Sequence, residues 1–148
     1  MKIMFICTGN ICRSAMAHAM MAKKAKEQNK KIEVFSSGIW AENGDIPTHE
    51  GITVMKDYGI DLSKHKATNI RNSNIENMDV ILCATVNHKN SVISMYPELE
   101  DKVFTIKEYA GYSINNFDIN DPWGCGFNEY KKCAKEIYIC IEKILEKI

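Results

Sequence analysis

The chain has 148 residues, and its 19 lysines and arginines balance 19 aspartates and glutamates. A chain of this length forms one domain, and its charge balance offers no basic face for nucleic acid. Its longest apolar runs, such as IMFIC and IYICI, hold five residues, which is far short of the ~20 that span a bilayer. We therefore expect one domain over residues 1–148, in the cytoplasm, with no nucleic-acid or membrane partner.

Apolar runs that predict strands alternate along the chain with segments that have helical periodicity. In chain order, the pattern predicts a strand at 2–7, a helix at 14–29, a strand at 31–37, a helix at 48–58, a strand at 78–85, a helix at 86–95, a strand at 102–106, and a final amphipathic helix from about Phe127. This alternation predicts an α/β domain with an open parallel sheet of about four strands and helices on both faces.

The six cysteines do not form a disulfide or metal-binding pattern. They lack paired C-x-x-C spacing, and the four histidines are scattered, so we expect no metal site. Cys83 lies in a predicted strand, while Cys133 and Cys140 lie on the apolar stripe of the last helix. These three are expected to be small core residues. Only Cys7 and Cys12 have neighbours that suggest chemistry.

Those two cysteines belong to the segment CTGNICRS, which joins the first strand to the first helix. Ligands of such sheets bind at the carboxyl ends of strands, beside helix N-termini. Gly9 and Asn10 tolerate unusual backbone conformations, so this loop can turn its N–H groups inward around an anion. The same positive field favours a thiolate, and we expect Cys7 to be a nucleophile at neutral pH.

Arg13 strengthens this interpretation. Only two of the 19 basic residues are arginines, and one of them lies in this segment, with five residues between it and Cys7. A guanidinium binds two phosphate oxygens at once, which a lysine cannot do. The segment therefore predicts a phosphate-binding loop with a nucleophile.

The segment CTGNICRS after an N-terminal strand resembles the phosphate-binding loop of low-molecular-weight protein tyrosine phosphatases. The resemblance extends along the chain through four further segments: SSG at 36–38, GIDLSKHKA at 59–67, DVIL at 79–82 and DPW at 121–123. It implies a flavodoxin-like three-layer α/β fold with a four-stranded parallel sheet. It also implies an enzyme that dephosphorylates proteins without a metal or other cofactor; we expect a monomer.

The same resemblance assigns the catalytic roles. Cys7 would attack phosphorus to form a phosphocysteine, while Arg13 and the loop N–H groups hold the phosphoryl oxygens. Asp121 would protonate the leaving oxygen and then activate the water that releases phosphate. Asp118, three residues earlier, is the competing carboxylate.

Supporting roles follow from the resemblance as well. Ser14 would stabilise the Cys7 thiolate; it could also cap the helix, and the two roles are compatible. A hydrogen bond between Asn10 and His65 would hold the loop in its strained shape. Cys12 would form a reversible disulfide with Cys7 that prevents over-oxidation. The residues expected to contact the substrate are Thr8, Gly9, Asn10, Ile11, Cys12, Trp40 and Trp123.

The sequence leaves the substrate class open. Ile11, Trp40 and Trp123 can form apolar walls for a phenyl ring, which favours phosphotyrosine. KVFTIKEY and the single aromatic of Trp123-Gly124 resemble instead a branch that dephosphorylates arginine. That branch, however, has a small hydroxyl residue where this chain has Ile11, and an apolar side chain would leave guanidinium N–H groups unpaired. We therefore prefer tyrosine.

An arsenate reductase and a non-catalytic phosphate-binding module are the two alternatives to a phosphatase. The fold also serves arsenate reductases, in which a cysteine relay would continue near Cys83. The following segment, ATVNHKNSVISMY, contains no second cysteine, which argues against a reductase. A non-catalytic phosphate-binding module would have no need of Cys7, Arg13 and Asp121 together.

Overall fold

A parallel four-stranded sheet forms the centre of the computed structural model, which describes residues 1–113 and 115–148. The strands are β1 (Lys2–Cys7), β2 (Glu33–Gly38), β3 (Val80–Cys83) and β4 (Val103–Thr105). Their order across the sheet is β2-β1-β3-β4, and all three pairings are parallel. The predicted parallel sheet is therefore confirmed, with the strand that carries Cys7 in its interior.

Helices follow the strands along the described chain. They are α1 (Arg13–Glu27), α2 (His49–Lys56), α3 (Val86–Met95), α4 (Ile106–Tyr109) and α5 (Phe127–Glu146). Short 3-10 turns lie at Leu62–Lys64, Ile70–Asn72, Ile75–Asn77 and Pro97–Lys102. In this part of the chain, no helix is both long enough and apolar enough to cross a bilayer.

The side chains of β1 alternate between two hydrophobic cores. Ile3 and Phe5 pack in a cluster with residues of α1, α2 and α5. Met4 and Ile6 pack on the opposite face with Val92 of α3 and residues of the neighbouring strands. Because successive strand residues point to opposite faces, these two cores place helices on both sides of the sheet. The three-layer architecture is thus confirmed.

The predicted elements differ from the observed ones mainly at their ends. The helix at 86–95 agrees with α3, whereas the strand predicted at 102–106 is too long, because β4 ends at Thr105. Thr105 begins α4 with a capping box: its Oγ1 accepts the Glu108 N–H, and Glu108 Oε1 accepts the Thr105 N–H, both at 3.0 Å. This local capping ends the strand and starts a helix.

Gly38, at the end of β2, provides a test of how tightly β2 packs on the loop that follows β1. A methyl group there would lie 2.5 Å from the Thr8 carbonyl oxygen and 2.9 Å from the Asn10 nitrogen. We expect Gly38→Ala to lower the free energy of unfolding by about 1–3 kcal/mol, measured by urea denaturation, because backbone atoms must move.

Gly51→Ala in α2 is the matched control, since its nearest neighbour would be Thr48 Oγ1 at 3.4 Å. Alanine is also the better helix former, so we expect this variant to be at least as stable as the parent. Equal losses in the two variants would contradict a tight contact at Gly38.

Candidate active site

The loop between β1 and α1 surrounds a narrow cavity of ≈ 200 Å³ at the carboxyl end of the sheet. Cys7 ends β1 and is 2% exposed. The residues that line the cavity are Cys7, Thr8, Gly9, Ile11, Cys12, Arg13, Asp121 and Trp123. Eight residues predicted to act in catalysis or substrate binding are therefore brought together at one cavity.

Asn10 holds the loop from behind the cavity. Its backbone is left-handed, with φ of 56°, and its side chain is fully buried. Nδ2 donates to Ser14 Oγ at 2.8 Å, and Oδ1 accepts the Thr68 N–H at 2.9 Å. These buried hydrogen bonds direct the Asn10 side chain into the protein, and Asn10 is not among the residues that line the cavity. Its contact with the substrate stays a prediction.

His65 binds the same turn of the loop. Its Nε2 lies 2.7 Å from the Asn10 carbonyl oxygen, and since a carbonyl can only accept, Nε2 carries the hydrogen. Burial lowers the pKa of His65, which favours the neutral ring. The predicted hydrogen bond between these residues is present, and it uses the backbone of Asn10 rather than its amide side chain.

Ser14 lies directly beside the cysteine sulfur, with 2.9 Å between Ser14 Oγ and Cys7 Sγ. Because Ser14 Oγ accepts a hydrogen from Asn10 Nδ2, its own hydrogen is available to Sγ. The alternative of a helix cap is not observed, since α1 starts after Cys12 and Ser14 lies within its first turn. A hydroxyl in this position can stabilise a thiolate.

Arg13 is 5% exposed, and its two terminal nitrogens have partners in the protein. Nη1 donates to the Ile119 carbonyl oxygen at 2.9 Å, and Nη2 lies 3.7 Å from Asp121 Oδ2. Within the described residues, Nε of Arg13 is the one buried side-chain nitrogen or oxygen atom without a hydrogen-bond partner. An unpaired buried donor is costly, and an anion in the adjacent cavity would satisfy it.

The two candidate carboxylates have different surroundings. Asp121 lines the cavity, and its side chain is 52% exposed; its Oδ1 accepts the Trp123 N–H at 3.1 Å. Asp118 does not line the cavity, and its Oδ1 accepts the Val86 N–H at the start of α3, at 2.8 Å. The geometry therefore favours Asp121 as the carboxyl group that reaches a ligand.

The apolar walls of the cavity come from Ile11 and Trp123, which is 62% exposed at the mouth. Trp40 was expected to be a third wall, but it lies outside the cavity. Its backbone N–H donates to the Thr8 carbonyl oxygen at 2.9 Å, and its side chain borders a neighbouring groove, where it is 74% exposed.

Tyr130 of α5 is a site residue that sequence reasoning placed only in the core. Its hydroxyl lies 3.1 Å from Cys12 Sγ and accepts a hydrogen bond from Thr48 Oγ1 at 2.7 Å. Burial raises the pKa of Cys12 to about 11, so this cysteine remains a thiol at neutral pH. No sequence signal distinguishes Tyr130 from the other apolar positions of α5.

The remaining chemistry-bearing residues do not add a metal or redox centre to this cavity. In residues 1–113 and 115–148, no three His, Cys, Asp or Glu side chains are grouped closely enough to hold a metal ion. Cys83 is fully buried in β3, and burial raises its pKa, so it is a poor candidate for a thiol relay. The site combines a buried thiol, a guanidinium with an unpaired donor and a carboxyl group at its mouth.

Comparisons with known proteins agree along nearly the whole chain. Residues 2–148 match the family described as "Low molecular weight phosphotyrosine protein phosphatase". A protein-arginine-phosphatase of Geobacillus stearothermophilus is 33% identical, with 99% of this chain and 95% of that protein aligned.

Two solved structures of phosphatases are similar to this chain over nearly its whole length. The low molecular weight protein tyrosine phosphatase of T. tengcongensis is 40% identical with a TM-score of 0.93, covering 100% of this chain and 99% of that one. A variant of the arginine phosphatase YwlE with a phosphorylated active-site serine is 30% identical with a TM-score of 0.93, covering 99% and 95%.

Asn10 allows the contribution of the buried network to be measured. We expect Asn10→Ala to lower the free energy of unfolding by about 2–4 kcal/mol, because alanine is strained in the left-handed region and leaves the Thr68 N–H unpaired. Chemical denaturation monitored by circular dichroism measures this loss.

Asn29 is the matched control, since it has φ of 54° and is exposed. Asn29→Ala introduces the backbone strain without removing a buried hydrogen bond, and we expect it to cost about 1 kcal/mol. If both variants lost the same amount, the buried network would contribute nothing.

Proposed function

The chain belongs to the low molecular weight phosphotyrosine protein phosphatase family, and we propose that it hydrolyses phosphotyrosine in proteins through a phosphocysteine on Cys7. The observation that carries this proposal is the pairing of Cys7 with Arg13 at one cavity, where the buried Arg13 Nε has no partner among the described residues. A dianionic phosphoryl group would supply the missing acceptor. The roles of the individual residues follow from the distances around that cavity.

In the first step, the Cys7 thiolate attacks phosphorus in line with the ester oxygen. The S–P bond forms as the P–O bond to the tyrosine breaks, and negative charge on the three equatorial oxygens is held by Arg13 and the loop N–H groups. Asp121 donates its proton to the departing phenol oxygen. Its position on the lining of the cavity, with a half-exposed side chain, supports this role.

In the second step, the Asp121 carboxylate takes a proton from water, and the water oxygen attacks phosphorus. The S–P bond breaks, inorganic phosphate is released, and Cys7 leaves as a thiolate. Ser14 supports this departure, because its hydroxyl hydrogen can be donated to Sγ across 2.9 Å. The YwlE variant with a phosphorylated serine supports a phosphoenzyme intermediate in this family.

The walls of the cavity support an aromatic leaving group. Ile11 and Trp123 present apolar surface on the cavity, and a phenyl ring between them buries that surface. A guanidinium in the same place would need hydrogen-bond acceptors, which Ile11 does not offer. Tyrosine is therefore the preferred leaving group.

Phosphoarginine is the second candidate substrate. The relative from Geobacillus stearothermophilus is a protein-arginine-phosphatase. In this chain Trp123 is followed by Gly124, with φ of 76°, and not by a second aromatic residue. The mechanism would be the same, with nitrogen rather than oxygen as the leaving atom.

The state of the cysteines bears on the compartment in which the enzyme works. All six cysteines are free in the structure, which agrees with a reducing compartment, and we place the enzyme in the cytoplasm as a monomer. Its partners would be phosphorylated proteins.

Comparing kcat/KM on phosphotyrosine and phosphoarginine peptides of one sequence tests this function. We expect the parent enzyme to prefer phosphotyrosine, and Ile11→Thr to shift the ratio at least tenfold toward phosphoarginine by supplying a hydroxyl acceptor. Cys7→Ser should release phosphate from neither peptide. Undiminished turnover in Cys7→Ser would refute the phosphocysteine, and a parent preference for phosphoarginine would establish the second candidate.

Peroxide treatment tests the proposed protective role of Cys12. Oxidation of Cys7 to a sulfenic acid, followed by attack of the Cys12 sulfur, would form a disulfide and release water. We expect dithiothreitol to restore the activity of the parent enzyme but not of Cys12→Ser, whose Cys7 proceeds to the sulfinic acid. Cys125→Ser, which changes an exposed cysteine, is the control, and full recovery of Cys12→Ser would contradict the role.

A further inference from the structure

Thr8 lines the cavity, and its hydroxyl contacts a buried histidine. Thr8 follows the nucleophile and lines the cavity, and its Oγ1 is 2.8 Å from Nε2 of His88. His88 belongs to the first turn of α3 and is 8% exposed. The catalytic steps described above assign no function to this hydroxyl or to the histidine behind it.

The contacts of His88 permit a tautomer that donates to Thr8. Thr85, the N-cap of α3, accepts the His88 backbone N–H on Oγ1 at 3.1 Å, and Nδ1 of the ring lies 2.9 Å from the same oxygen. When the Thr85 hydroxyl donates its hydrogen to Nδ1, the ring hydrogen lies on Nε2 and is donated to Thr8.

The surroundings of the ring keep it neutral. Burial, followed by the positive charge of Arg13, lowers the pKa of His88 to about 4. A neutral ring with its hydrogen on Nε2 is a fixed donor at neutral pH. In this tautomer Thr8 Oγ1 accepts from His88, and the hydrogen of the Thr8 hydroxyl is not used in that contact.

We propose that His88, with its ring hydrogen on Nε2, is a positioning residue for the phosphatase reaction: it holds the Thr8 hydroxyl so that this hydroxyl donates to a phosphoryl oxygen. The chain of groups runs from Thr85 through His88 to Thr8, and each hydroxyl donates in the direction of the cavity. This inference rests on the function proposed above, because it assigns the hydroxyl a phosphoryl acceptor.

The arrangement matters because Thr8 is exposed. An exposed hydroxyl without a fixed partner rotates and is shared with water, so its hydrogen bond to a ligand would be weak. Acceptance from a buried donor restricts the rotation and polarises the O–H group. The loop thereby gains a side-chain donor in addition to its backbone N–H groups and Arg13.

Two substitutions of His88 separate its two hydrogen bonds. Glutamine places an N–H group near the position of Nε2 and can still donate to Thr8, whereas asparagine is shorter and can reach only Thr85. With p-nitrophenyl phosphate as substrate, we expect kcat/KM to fall about tenfold in His88→Asn and less than threefold in His88→Gln. Equal losses in the two variants, or no loss in His88→Asn, would overturn the proposal.

Substitution of Thr8 gives an independent test that leaves the buried histidine in place. Thr8→Val should lose about tenfold in kcat/KM, and Thr8→Ser should retain most of the activity, because it keeps the hydroxyl. In the double variant Thr8→Val/His88→Asn, we expect no further loss, since the two residues act in series. Full activity of Thr8→Val, or multiplication of the two losses, would overturn the proposal.

Controls distinguish this inference from the function on which it rests. Asn90→Ala changes an exposed residue of the same helix and should leave kcat/KM unchanged, and thermal unfolding of each variant reports folding. A parent enzyme that released no phosphate would refute the proposed function. If the parent enzyme is active and Thr8→Val does not change kcat/KM, only the role of His88 is refuted, and the proposed function stands.

Discussion

The left-handed backbone of Asn10 is the constraint on which the catalytic loop depends. With φ of 56°, this residue turns the chain so that the loop curves around the cavity instead of continuing from strand to helix. Such a conformation is unfavourable for most residues with a side chain, and asparagine tolerates it better than most. It is stabilised by hydrogen bonds to Ser14 of α1 and to His65 and Thr68 of a second segment. The shape of the anion site is thus maintained by groups that do not face the ligand.

The sheet determines where this loop can lie. Cys7 ends an interior strand and pairs with Gly38 of β2, while Ile6 beside it pairs with Cys83 of β3. Gly38 leaves space for the loop, since even a methyl group would contact Thr8 and Asn10. A nucleophile at the end of an edge strand would lack a neighbour on one side. The interior position therefore explains the burial of Cys7.

The sheet, the main helices and the catalytic loop could be predicted from the sequence. The sheet and the helices follow from local hydrophobic periodicity, and the loop follows from a short motif of eight consecutive residues. Cys7, Arg13 and Asp121 are all found at the cavity. A contact between distant segments could be predicted only where the resemblance supplied it, as for His65 and Asn10. The contact of Tyr130 with Cys12, 118 positions away, and that of His88 with Thr8, 80 positions away, could not be predicted. The position of Trp40 beside the neighbouring groove likewise carries no local signal in the sequence.

Two buried cations hold the segment that carries the proposed general acid. Lys107 Nζ donates to the Asp118 carbonyl oxygen at 3.0 Å, and Arg13 Nη1 donates to the next carbonyl, that of Ile119, at 2.9 Å. The Ile119 N–H donates in turn to the Ala84 carbonyl oxygen at the end of β3. Asp121 follows this fixed segment and is half exposed, so it can reach a leaving group at the mouth. Because Arg13 belongs to both the proposed anion site and this anchor, one guanidinium would position both the phosphoryl group and its proposed proton donor.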